Sequence, residues 1–104
     1  MANYCFTAYR VVGKSETLQQ IKDAINLEPQ SDTFNMERIL NRLEVPTESP
    51  IGLGGDWMNA EIRLIDGVEV LCFDEEFRYN ASCNMELIAE MPPFKDAITG
   101  VYRQ

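Results

Sequence analysis

The chain has 104 residues, 45% apolar and 25% charged, with a formal net charge of −8 and no histidine. That length and apolar content predict one domain over residues 1–104 with a core of its own, and exclude a disordered chain or a rod. No run approaches the roughly 18 to 20 apolar residues of a membrane span, and the N-terminus lacks an export signal, so the sequence reads as cytoplasmic with no membrane partner.

Elements follow in chain order. Tyr4 to Val12 is rich in aromatic and β-branched residues and predicts a first strand, with Tyr4, Phe6 and Ala8, and less regularly Val11 and Val12, as its buried face. Ser15 stands at a helix cap, and Leu18, Ile21 and Ile25 recur at helical spacing, predicting a helix over 16–26. Asp32 or Thr33 would cap a shorter helix whose apolar face is Met36, Ile39, Leu40 and Leu43. Val45 to Asp56 carries prolines and glycines without a period and reads as a loop. Ala60 to Ile65 alternates, Asp66-Gly67 supplies a hairpin turn, and Val68 to Phe73 returns as a central strand, apolar on both faces. Ser82 or Asn80 would cap a last helix that turns Leu87, Ile88 and Met91 inward and stops at Pro92-Pro93, and Ile98 to Arg103 closes as a strand. This order is the split βαβ repeat of an α+β ferredoxin-like sandwich, a four-stranded antiparallel sheet with two main helices on one face and an extra short helix.

Without histidine, zinc sites built on it and Ser-His-Asp or Cys-His nucleophile systems are excluded. Cys5, Cys72 and Cys83 are far apart and odd in number, which predicts reduced thiols, with Cys5 and Cys72 in the core and Cys83 in the first turn of the last helix. No cofactor is expected. Residues 44–76 hold nine acids and one base, Arg63, whereas the rest of the chain balances. Such a field opposes nucleic acid, which is bound through Lys and Arg, and favours docking to a basic protein surface.

The opening Met1-Ala2-Asn3-Tyr4-Cys5, then Val11-Val12-Gly13 before a capped helix, resembles the start of the YubB-type ferredoxin-like domains. Asp56-Trp57 before the hairpin and Phe73-Asp74 after it lie where that family carries a Trp-containing segment and a Phe-x-Thr-Ala-Trp-Ser-Pro-Pro motif. Here Glu75-Glu76-Phe77-Arg78-Tyr79 replaces the end of that motif. The resemblance implies a ferredoxin-like fold and an origin in plasmids, phages or other mobile elements, and carries over no catalytic residue.

The densest charge cluster is Asp74-Glu75-Glu76. Alternate strand residues share a face, so Asp74 and Glu76, with Glu61 and Glu69 on neighbouring strands, would form a carboxylate row resembling a nucleic-acid backbone; the competing reading is a charge run protecting a sheet edge. A divalent-cation site lacks a D-x-D-x-D-G loop, and a paired-carboxylate hydrolase lacks walls for a cleft. The glycines of Ile51 to Gly55 lack the Lys-Ser/Thr of a phosphate loop. Trp57 is either a docking anchor beside Asp56 or a core side chain. Together these features predict no enzyme but an acidic protein-binding module, an inhibitor of the anti-CRISPR or other anti-defence type. It would present Asp56, Trp57, Glu61, Glu69, Asp74, Glu75 and Glu76 to the basic, nucleic-acid-binding surface of a host protein. A structural or dimerising ferredoxin-like domain that forms a homodimer through its open sheet face is the alternative, and a small carboxylate-based enzyme the third reading.

Overall fold

Alternation in the strands and 3.6-residue spacing in the helices resolve, in the computed structural model, into β1 (Tyr4–Gly13), α1 (Ser15–Asn26), α2 (Met36–Arg42), β2 (Gly55–Ile65), β3 (Val68–Arg78), α3 (Asn84–Ala89) and β4 (Ile98–Arg103). The structure describes residues 3–29, 33–48 and 50–104. The strands form one antiparallel sheet in the order β2-β3-β1-β4, an α+β arrangement compatible with the ferredoxin-like expectation.

Tyr9, Val11, Trp57, Ala60, Leu71, Phe73, Phe77 and Ile98 supply the strand side of the core, and the helices close over them with Leu18, Ile21, Ile39, Leu40, Met85 and Ile88. The apolar face of α2 is the one its spacing predicts, since Met36, Ile39, Leu40 and Leu43 are all buried. Its start differs: Asn35 occupies the cap position rather than Thr33, and Asp32 lies outside the described residues. Helix α1 begins at Ser15, with Lys14 at its cap and no side-chain bond there. Cys83, neither Ser82 nor Asn80, holds the cap position of α3.

In β1 the predicted face is inverted over Tyr4 to Tyr9, whereas Val11 is buried as expected. Thr7, Tyr9 and Val11 point into the core, while Tyr4 and Phe6 are 45% and 71% exposed. Both alternate sets contain aromatic or β-branched residues, so the pattern offered two faces; the tyrosine goes inward because its hydroxyl finds acceptors there.

The hairpin is longer than the alternation indicates, running 55–65 and 68–78. Asp66 and Gly67 both have positive φ, 51° and 81°, the left-handed pair of a type I′ turn. Between Met58 and Glu61 the register slips by one residue, and Asn59, at φ 58°, takes the bulge. At the end of α1, the carboxylate of Glu28 accepts from Arg38 Nε at 2.5 Å and from Arg42, tying α1 to α2. No helix among the described residues is long and apolar enough to cross a membrane.

Candidate functional site

Two groupings of polar side chains stand out, one inside the fold and one on it. The inner grouping is centred on Glu75, whose neighbours Phe73 and Phe77 point with it into the core. Its side chain is 0% exposed. Trp57, the cross-strand partner of Glu75, donates its indole Nε1–H to Oε1 at 3.0 Å. The Ser82 amide donates to Oε2 at 3.1 Å, and the Ser82 hydroxyl donates to Oε1. Three donors thus replace the water that the carboxylate loses on burial.

The network extends from Ser82. Its carbonyl accepts from the Tyr9 hydroxyl at 3.0 Å and from Arg103 Nη2 at 2.9 Å. Glu86 receives both the Tyr9 hydroxyl at 3.0 Å and Arg103 Nε at 2.6 Å. Burial foremost, then the Glu75 charge and the hydrogen bond to Glu86, hold the Tyr9 phenol well above its ordinary range. Beside this network, Asn84 clamps Gly52, accepting from its amide at 2.9 Å and donating to its carbonyl at 2.7 Å. Glu75, Ser82 and Asn84 are buried while Glu86 and Arg103 reach the surface, and the arrangement fastens β3, α3 and the 50–54 segment together beside a pocket of about 410 Å³ lined by Gly52, Phe77, Ser82, Cys83 and Asn84 among others.

The outer grouping lies on the sheet face opposite the helices. Register places Phe6 beside Glu76, Glu76 beside Asp56, Ala8 beside Asp74, and Cys72 between Arg10 and Glu61. By register the expected carboxylates Asp56, Glu61, Asp74 and Glu76 therefore share this uncovered face, with Asp56 half-buried and its Oδ1 accepting from the Asn35 N–H at 3.0 Å at the start of α2. Glu75 does not: the three consecutive acids alternate sides, and the middle one is buried. Glu69 falls on the helix side of β3, near the hairpin turn, where it is exposed. Trp57 is fully buried, its ring tilted 50° against Phe73 with centroids 4.8 Å apart, and does not project as a docking anchor. Its ring fills the core and its single N–H donor meets Glu75.

A shallow groove of about 340 Å³ crosses the outer face, with Arg10, Asn59, Glu61, Arg63, Cys72 and Asp74 among its lining residues. Asn59 Nδ2 donates to Asp74 at 3.1 Å, and Arg63 Nε donates to Glu61 at 2.6 Å. The sequence alone does not place Arg10 and Phe6 on this face, because both alternate sides of β1 carry aromatic or β-branched residues. Cys5 and Cys72 are half-buried rather than core thiols, and Cys83 is exposed. Among the described residues no three His, Cys, Asp or Glu side chains are grouped to hold a metal ion. No protein-family model matches the chain, and no curated protein or solved structure is significantly similar to it.

Proposed function

We propose that this is a ferredoxin-like, non-catalytic protein-binding module whose uncovered sheet face docks on a basic, nucleic-acid-binding surface of another protein. One observation carries the reading: Asp56, Glu61, Asp74 and Glu76, spread over 21 residues of sequence, converge on a face that no helix covers, beside a largely exposed Phe6 ring. Carboxylates complement Lys and Arg, and the ring adds apolar area and a surface on which a guanidinium stacks. The acidic balance of the whole chain would speed such an encounter and repel nucleic acid itself. An inhibitor of a CRISPR or other host defence protein, as the resemblance to mobile-element domains suggests, would use a surface of this kind.

The test is capture from a nuclease-treated host lysate, eluted on a salt gradient, with wild type compared against Asp74→Lys/Glu76→Lys. A nucleic-acid-binding protein retained by wild type, released by moderate salt and lost from the reversed variant is the expected result. Equal retention by both proteins would remove the acidic face as the docking surface.

A further inference from the structure

Six arginines and three lysines stand against the 17 acids of the chain, and most of the arginines already have a partner. Arg38 and Arg42 share Glu28, Arg63 holds Glu61, Arg103 holds Glu86, and Arg78 lies over the Phe34 ring at 5.2 Å. Arg10 has no hydrogen bond, ion pair or ring contact among the described residues. It stands on the uncovered face, half-buried, with Cys72 of β3 on one side in register and Tyr102 of β4 on the other. It also lines the groove of about 340 Å³ that holds Asn59, Glu61, Arg63 and Asp74. The other charged groups there are engaged, Asp74 by Asn59 and Glu61 by Arg63, so Arg10 alone keeps every donor free.

We infer that the partner docking on this face brings, amid its cations, one carboxylate side chain that enters the groove and pairs with the Arg10 guanidinium. The inference rests on the docking reading above and makes the partner's surface bipolar. Closing the face strips water from Arg10, and a guanidinium buried without an acceptor costs more than the neighbouring contacts return, so the partner must supply one. A carboxylate fits better than a phosphate. Its two oxygens match paired guanidinium N–H groups, whereas the second charge of a phosphate would face Glu61 and Asp74 across the same groove. Glu76, also without a bonded partner among the described residues, lies beside Phe6, four positions along β1 from Arg10. At roughly 3.4 Å per residue the partner's Lys or Arg over Glu76 and its Asp or Glu over Arg10 stand about 14 Å apart.

The test titrates the whole chain, its arginine side chains labelled for NMR, with two extended peptides. One carries a pair of arginines and, four residues further on, a glutamate; its counterpart has glutamine there. Attraction to the acidic face alone favours the glutamine peptide, which has the higher positive charge. Pairing at Arg10 reverses that order: the glutamate peptide should bind about fivefold more tightly and move the Arg10 Nε–H resonance. Arg10→Gln should abolish the preference while both peptides still bind. Equal or tighter binding of the glutamine peptide to wild type, with the Arg10 resonance unmoved, overturns the inference and leaves the acidic face in place. Failure of both peptides to bind at about 1 mM removes the docking reading and this inference together.

Discussion

Trp57 and Glu75 face each other across β2 and β3, and the indole N–H meets the carboxylate at 3.0 Å with both side chains shut from solvent. The ring also packs on Phe73, which stacks in turn on Tyr9 at 5.3 Å, so one aromatic layer carries the polar network on its edge. A carboxylate held this way by uncharged donors fixes a single arrangement of its surroundings, because any slip leaves a buried donor without an acceptor.

Glu75→Ala should destabilise the fold by about 3 kcal/mol, since Trp57 Nε1, the Ser82 amide and the Ser82 hydroxyl all lose their acceptor and a cavity opens. Glu75→Gln keeps the shape but turns an amide NH₂ toward a donor, at about 1–2 kcal/mol. Urea denaturation of both variants at neutral pH checks the order; an alanine variant as stable as wild type would refute the network's role.

Tyr9→Phe separates hydrogen bonding from ionisation. Near neutral pH it should cost about 1 kcal/mol. The folded protein holds the Tyr9 proton more tightly than the unfolded chain, whose phenol has the ordinary value of 10.0. Below that pH the contribution is complete; above it the unfolded chain ionises first and wild-type stability falls. Urea midpoints measured from about pH 8 to about pH 11 should therefore drop more steeply for wild type than for Tyr9→Phe.

Asn84→Ala should release the segment around Gly52, whose amide and carbonyl both depend on that side chain. A loss of about 2 kcal/mol and faster proteolytic cleavage in the 50–54 segment are expected, with cleavage sites mapped by mass spectrometry.

Gly55→Ala tests the start of β2. A Cβ there would lie 2.2 Å from Phe77 Cδ2 and 2.5 Å from the Glu76 carbonyl oxygen, and backbone cannot step aside. The variant should lose about 2 kcal/mol or more. Adding Phe77→Ala should recover little, because the carbonyl clash remains.

How much was legible before the structure depended on whether one periodicity had a rival. Met36, Ile39, Leu40 and Leu43 have no competing helical face, and Asp66-Gly67 is a strong two-residue turn, so α2 and the hairpin are where the pattern puts them. Tyr4, Phe6 and Ala8 competed with Thr7 and Tyr9, and hydrophobicity alone ranks the wrong set first. Sequence alone offers Asp74, Glu75 and Glu76 together as surface carboxylates, because burial of the middle residue depends on Trp57 and Ser82, which lie 18 and 7 positions away and carry no local signal.

The one-sided core divides the labour of the strands. Side chains that decide whether the chain folds point toward the helices, and the alternate positions between them, Phe6, Ala8, Asp74 and Glu76 among them, are largely relieved of that task. The outer face can accordingly be rewritten one residue at a time while the protein keeps its shape. A scaffold divided in this manner can change what it recognises far more quickly than what it is.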